Sequence, residues 1–171
     1  NDKVGVIFFS DKIEKFIPAK KGKTHVLHII RELLSFEPSS TGTDIAQALQ
    51  YFANAQKRHC TAFLISDFIG AGNMYQPLMI ASNRHEVNAI QIYDRREAEL
   101  PNIGLVKFHD AETGNDLWVD TAIASVRNNY AQAWRDNQNE MQQLFTRTGV
   151  DHVSVRTDED YVKALMHLFR C

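Results

Sequence analysis

The stretch TAFLISD, residues 61–67, decides the fold, because an uninterrupted and largely apolar run is cut off by a serine and an aspartate. A short run of this kind is typical of a strand buried on both faces of a sheet. Strand-like runs also occur in residues 4–9 (VGVIFF) and 87–93 (VNAIQIY). Helical patterns separate the three runs, so the sequence predicts an α/β fold. We expect a mainly parallel, Rossmann-like sheet with helices on both faces.

Helical periodicity fills the segments between the strands. We expect a helix from an N-cap at Thr24 to about residue 37, a second after Thr43, and a third over residues 75–83. A long helix is predicted over residues 123–147, where Gly149 supplies the stop signal. A short strand over residues 152–156 and a final helix after the acidic run 157–160 complete the pattern.

Two features depart from the parallel arrangement. Residues 13–18 follow the first strand after three polar residues, which leaves room only for an antiparallel pair, and Pro18 indicates an edge position. Residues 94–121 contain two short strand-like segments between glycines and a proline, which predicts a hairpin inserted at the edge of the sheet. We expect residues 1–171 to form a single domain with this insertion.

Composition restricts the function classes. The 171 residues are 44% hydrophobic and 23% charged, with a net charge of −2, which is typical of one globular domain without a general attraction to nucleic acid or anionic lipid. No apolar run reaches the roughly 18 residues of a membrane span. Two cysteines, Cys60 and Cys171, are too few for a disulfide framework. We therefore expect a cytoplasmic protein.

Two polar residues stand where ligands usually bind in such folds, which is beyond the carboxyl ends of the strands. Asp67 closes the strand over residues 61–65, and Thr43 precedes a helix in the run SSTGTD, residues 39–44. A carboxylate and a hydroxyl there could hold a hard cation. Purely local roles stay open, because Thr43 could only cap the helix and Asp67 could only shape a turn.

The segments around these residues resemble a known family. TDIAQAL (43–49) is similar to the threonine loop of von Willebrand factor A domains, and FLISDF (63–68) is similar to their strand that ends in the metal-site aspartate. The chain further resembles the bacterial branch called the domain-of-unknown-function family fifty-eight, typically encoded beside MoxR-type AAA+ ATPases. The segments that carry this resemblance are residues 4–11, 17–22, 31–34, 93–94, 99–104 and 157–162.

The resemblance implies a metal-ion-dependent adhesion site rather than an active site. In such a site Thr43 and Asp67 would be ligands of Mg²⁺ or Mn²⁺, and an open coordination position would accept a carboxylate from a partner protein. The expected function is a non-enzymatic protein-interaction module, with a MoxR-type AAA+ ATPase as the expected partner. Residues near the site that we expect to contact a partner are Asp44, Phe68, Arg95 and Arg96.

One part of the family pattern is missing from this sequence. The Asp-x-Ser-x-Ser loop normally follows a strand upstream of residues 4–9, and Asp2 does not match it. We therefore expect an N-terminally truncated domain in which metal binds weakly or not at all. We also expect the strand flanks left without a neighbour to favour self-association.

Other functions remain possible from the sequence. Asp67 could serve a metal-dependent hydrolase, although no Gly-x-Ser-x-Gly elbow or paired acids accompany it. A metal-independent interaction scaffold is a further alternative. A zinc site built from His25, His28, His59 and Cys60 has little support, because no matched second ligand pair accompanies them.

Overall fold

The computed structural model describes residues 2–70, 72–109 and 114–168. The chain divides into two compact units, one of residues 1–58 and 70–81 and one of residues 59–69 and 82–171. The turn of the predicted hairpin (residues 110–113) and Cys171 lie outside the described residues.

The first unit begins with a hairpin of β1 (Val4–Phe9) and β2 (Ile13–Lys20). The strands are antiparallel, as predicted, with Val6 opposite Ile17 and Phe8 opposite Lys15. A register shift lies between Val4 and Val6, and a side chain on Gly5 would come within 2.8 Å of the Ala19 nitrogen. Glycine therefore allows the two backbones to approach at this irregularity.

The next helix, α1 (Lys23–Ser35), begins two residues earlier than predicted. Gly22 precedes it at a φ of 105° and no side chain caps it, so the prediction of Thr24 as the cap is wrong. Every residue of α1 is described and none is buried. Its apolar residues Leu33 and Leu34 are 61% and 82% exposed. The apolar stripe that the sequence predicts is present but faces no core.

The second helix, α2 (Ile45–Ala55), behaves as its pattern predicts. Its buried residues are Ile45, Ala48, Leu49 and Ala53, which all belong to the predicted apolar face. Tyr51 of α2 meets Phe16 of β2 edge to face, with ring centroids 5.8 Å apart. The helix therefore packs on the hairpin and forms the core of the first unit with it.

The second unit contains the parallel sheet, formed by β3 (Thr61–Ser66), β4 (Glu86–Tyr93) and β7 (Asp151–Arg156), with β4 in the centre. Ile65, Ile90 and Val153 lie side by side across it. The predicted α/β, Rossmann-like fold is confirmed. The strand pairs β1–β2 and β5–β6 (Leu105–His109 and Asp116–Asp120) are separate antiparallel sheets.

Helices flank this parallel sheet. The helix α5 (Ala124–Thr148) packs on it through aromatic rings, with Phe145 5.1 Å from His152 and Trp134 5.3 Å from Tyr93. It ends at Gly149, which has a left-handed φ of 66°, as predicted. The helix α6 (Tyr161–Leu168) follows β7.

Two short helices complete the described elements. The helix α3 (Tyr75–Ser82) lies within one residue of its predicted range, and α4 (Arg95–Ala98) is a single turn that our sequence analysis missed. In the described part of the chain, no helix is both long and apolar enough to cross a lipid bilayer.

Candidate functional site

Asp67 lies directly after β3, at the carboxyl end of the parallel sheet, as the sequence predicts. Its side chain is exposed, and one carboxylate oxygen, Oδ1, accepts a hydrogen bond from the Ile69 N–H at 3.0 Å. The hydroxyl of Ser66 accepts from the Phe68 N–H at 3.0 Å. Both side chains thus shape the turn that follows the strand. The carboxylate is held at the surface by its own loop.

The residue that follows, Phe68, has an unusual backbone. Its φ is 59°, in the left-handed region that residues other than glycine rarely adopt. Its side chain is 2% exposed and its ring packs edge to face on Phe145, at 5.5 Å between centroids. The buried ring offsets the cost of the strained backbone. The Phe68 ring is buried in the core, so a partner protein could not contact it as the sequence predicts.

Three polar side chains lie in register at the carboxyl ends of the three strands. Ser66, Gln91 and Ser154 occupy neighbouring positions on β3, β4 and β7. Gln91 is 4% exposed, and its amide nitrogen Nε2 donates to the main-chain oxygen of Asp67 at 3.2 Å. Its oxygen Oε1 accepts from the Ser154 hydroxyl at 2.9 Å. Sequence reasoning missed this group, although a glutamine inside an apolar strand was an available signal.

Thr43 belongs to the first unit, in the loop before α2. The cap of α2 is Asp44, whose Oδ1 accepts from the Gln47 N–H at 2.8 Å. The interpretation of Thr43 as the helix cap is therefore wrong, because the helix begins one residue later than that role requires. Thr43 is exposed, and within the described part of the chain no hydrogen bond involves its hydroxyl.

The loop that carries Thr43 is held against the turn between β1 and β2. The Asp44 N–H donates to the Ser10 carbonyl at 2.9 Å, and a side chain on Gly42 would lie 3.4 Å from the Asp11 Cβ. Ser39 donates to the carboxylate of Glu14 on β2. These contacts place Thr43 at a fixed point of the first unit.

Arg95 and Arg96 lie in α4, at the carboxyl end of β4. Asp94 caps this turn by accepting from the Arg96 N–H at 2.8 Å, and the Asp94 N–H in turn donates to Oε1 of Glu97 at 3.2 Å. The spacing of Asp94 and Glu97 is the capping-box pattern, which was the sequence signal for this helix. Arg95 faces Glu99 across 3.9 Å with both side chains largely exposed. The two arginines are therefore displayed by a short ordered turn.

The predicted site residues divide between the two units. Thr43 and Asp44 belong to the first unit, whereas Asp67, Phe68, Arg95 and Arg96 belong to the second. Asp67 and Phe68 belong to the turn after β3, and the Gln91 amide donates to the main-chain oxygen of Asp67 in this turn. Arg95 and Arg96 follow the neighbouring strand, β4.

Asp67 offers one oxygen ligand of the kind that a divalent cation binds. Mg²⁺ takes six oxygens, of which several are usually waters, and Asp67 offers an exposed carboxylate of the right chemistry. Across the described residues, no group of three or more His, Cys, Asp or Glu side chains is arranged to hold a metal ion. Asp67 thus fits as one ligand, and it needs further oxygens.

The histidines and the cysteine considered for zinc have other contacts. His25 Nε2 lies 2.8 Å from the Val4 carbonyl oxygen, and His28 lies 3.8 Å from Glu32. Cys60 Sγ lies 3.7 Å from Nδ1 of His85. Burial raises the pKa of the Cys60 thiol, which favours the unreactive protonated form.

The architecture places this chain in the class of α/β proteins with a Rossmann-like parallel sheet. Two solved structures share this fold. The structure of an aerotolerance-related membrane protein from Bacteroides fragilis, with multiple mutations to serines, matches with a TM-score of 0.60 and 17% identity over 100% of this chain and 81% of that chain. The structure of the conserved hypothetical protein BatB from Bacteroides thetaiotaomicron matches with a TM-score of 0.54 and 16% identity over 98% and 76%.

The chain belongs to the family described as "Protein of unknown function DUF58", whose family model matches residues 1–140. It is 29% identical to the uncharacterized protein Mb1516 of Mycobacterium bovis over 165 residues, which cover 94% of this chain and 51% of that protein. It is 30% identical to the uncharacterized protein MAV169 of Mycobacterium avium over 158 residues, covering 90% and 92%. The chain thus spans about half the length of the Mycobacterium bovis relative. The predicted membership of domain family fifty-eight is confirmed.

Proposed function

We propose that this chain is a non-enzymatic protein-interaction module of the von Willebrand factor A type. The observation that carries the proposal is the exposed Asp67 carboxylate at the carboxyl end of β3, held by the Ile69 N–H. In the proposed interaction a Mg²⁺ or Mn²⁺ ion takes an oxygen ligand from Asp67, and a carboxylate of the partner occupies an open position. The family resemblance adds Thr43 to the proposed ligands.

The support for a binding role lies in how the aspartate is presented. A general acid or base usually sits in a pocket, whereas Asp67 is exposed on a turn. After the neighbouring strand β4, α4 displays Arg95 and Arg96, which carry charge complementary to an acidic partner surface. Asp44, at the start of α2, is proposed to contact the partner from the first unit.

The partner proposed from the family resemblance is a MoxR-type AAA+ ATPase, in a chaperone-like assembly in the cytoplasm. A metal-bridged carboxylate suits such a partner, because the contact can be made and broken without unfolding either protein. A metal-independent scaffold is the second candidate, and the apolar face of α1 favours it, because exposed apolar patches mark interaction surfaces.

The test is a calorimetric titration of Mn²⁺ into this chain and into the product that includes any coding sequence upstream of Asn1. Asp67→Asn and Thr43→Ala remove one proposed ligand each. Asp151→Asn is the matched control, because Asp151 is an exposed aspartate at the opposite end of the same sheet.

Binding to the longer product that is lost in Asp67→Asn and kept in Asp151→Asn supports the metal-dependent module. Equal binding by both variants, or no binding by any protein, overturns it. In the second case the metal-independent scaffold becomes the better explanation.

A further inference from the structure

Gln91 links the ends of all three parallel strands. Its backbone belongs to β4, its Nε2 donates to the Asp67 carbonyl beyond β3 at 3.2 Å, and its Oε1 accepts from Ser154 of β7 at 2.9 Å. The side chain is 96% buried, because only 4% of its surface is exposed. A buried amide that uses both its donor and its acceptor is costly to replace.

We propose that Gln91 is a positioning residue for the Asp67 carboxylate, an inference that rests on the proposed function of Asp67. The Asp67 carbonyl that Gln91 holds is joined to the Phe68 N–H through one peptide bond, and Phe68 is the strained residue at a φ of 59°. Fixing this peptide fixes the turn in which the Ile69 N–H meets Asp67 Oδ1. Ser154 in turn fixes the orientation of the amide.

The amide is better suited to this role than its nearest chemical relatives. Leucine fills a similar volume but leaves the Ser154 hydroxyl and the Asp67 carbonyl without their partner. An ionised glutamate accepts from Ser154 but cannot donate, so it repels the Asp67 carbonyl. A protonated glutamic acid regains one O–H donor and restores the pattern.

The difference between the ionised and the protonated glutamate provides a test in which lowering the pH should restore the wild-type contact. In Gln91→Glu, the amide resonance of Ile69 should match the wild type at low pH, where the new carboxyl is neutral, and depart from it at high pH. Burial raises the pKa of a carboxyl at this position, so the transition should fall above the usual range near 4.3. Hydrogen exchange of the Ile69 amide should be about tenfold faster than in the wild type at the same high pH.

Two controls separate positioning from general loosening of the sheet. Gln132→Glu introduces the same group on the exposed face of α5 and should leave Ile69 unchanged at every pH. The amides of Ala89 and Ile90 in the middle of β4 should keep wild-type exchange in Gln91→Glu. Ser154→Ala should shift the Ile69 resonance at all pH values, because it removes the group that orients the amide.

An Ile69 amide that follows the wild type at every pH overturns the proposal, and so does equal loosening of Ala89, Ile90 and Ile69. The outcome does not depend on metal. If Mn²⁺ binds the wild type, its affinity should fall in Gln91→Glu at high pH and recover at low pH relative to the wild type. If Mn²⁺ binds neither this chain nor the longer product, the proposed function fails, while the resonance of Ile69 still decides the role of Gln91.

Discussion

Ser39 is joined to Glu14 through both its main-chain N–H and its hydroxyl, with donor–acceptor distances of 3.0 Å and 2.7 Å. Hydrogen bonds from Ser39 and Ser10 hold the pKa of the Glu14 carboxyl below its usual value. The two residues are 25 positions apart in the chain, so this contact fastens the loop before Thr43 to β2.

Replacing Ser39 with alanine should raise the pKa of Glu14 toward the ordinary value for a glutamate, because the leading hydrogen bond is lost. The depressed pKa of the folded state contributes stability that is present above the unfolded pKa and is lost as the pH falls through the folded pKa. Carboxyl-carbon NMR against pH measures the change. Ser35→Ala, on α1, is the control and should leave Glu14 unchanged; a Glu14 pKa that does not move in Ser39→Ala would contradict the assignment.

The cap of α2 can be tested by two neighbouring alanine substitutions. Asp44→Ala should cost about 1 kcal/mol of unfolding free energy, because the Gln47 N–H loses its acceptor. Thr43→Ala should change it by less than about 0.5 kcal/mol, because the Thr43 side chain is exposed. Urea unfolding measures both. A larger cost for Thr43→Ala than for Asp44→Ala would restore the threonine as the cap.

Phe68→Ala should destabilise the chain by about 3–5 kcal/mol, because its buried ring packs on Phe145. Alanine does not relieve the left-handed backbone, so no gain offsets the cavity. Phe63→Ala is the matched control, since Phe63 is 42% exposed on β3 and should cost less than about 2 kcal/mol. Equal losses in chemical denaturation would show that the Phe68 ring has no special role.

His152 should make stability depend on pH near neutrality. Desolvation lowers its pKa below 6.5, only partly countered by the charge of Asp151, so the unfolded chain binds the proton more tightly than the folded one. Stability should therefore fall as the pH drops through 6.5 toward the folded pKa. The dependence of Tm on pH should flatten in His152→Gln and persist in the control His109→Gln. An unchanged slope in His152→Gln would assign the dependence to other groups.

Self-association remains a prediction, and the apolar face of α1 offers a place to test it. Leu33 and Leu34 are largely exposed, so light scattering during gel filtration should show a mass that increases with protein concentration. Leu34→Glu should reduce this increase. Ile103→Glu adds the same charge at a residue that is 66% exposed in the other unit, and it should have less effect. A monomer at all concentrations would contradict the prediction.

Local patterns predicted most of the elements. The apolar spacing of Ile45 and Leu49 gave the buried face of α2, and Gly149 gave the end of α5, because these depend on neighbours in sequence. Asp67 was placed at a strand end for the same reason. The Gln91–Ser154 contact joins residues 63 positions apart, so it depends on strand register, which no local pattern records.

The incorrect predictions also arose from local sequence patterns. Thr43 and Asp44 both favour the N-cap position, and their order in the sequence could not decide between them. The stripe of α1 matches that of α2, yet only α2 buries it. Amphipathic spacing reports what a helix is able to bury, whereas the packing of the rest of the chain decides whether it does.

Because α1 has no buried residues, it affects where proteases cleave the chain. The helix is joined to the hairpin by the Lys15–Glu32 ion pair and by His25 at the Val4 carbonyl, and the side chains of both contacts are partly exposed. Little apolar burial therefore opposes its transient opening. Trypsin, which cuts after basic residues, has targets at Lys23 and Arg31 within this helix. Limited digestion should nick the chain here before it reaches the parallel sheet, and any molecule that covers α1 should delay the cut.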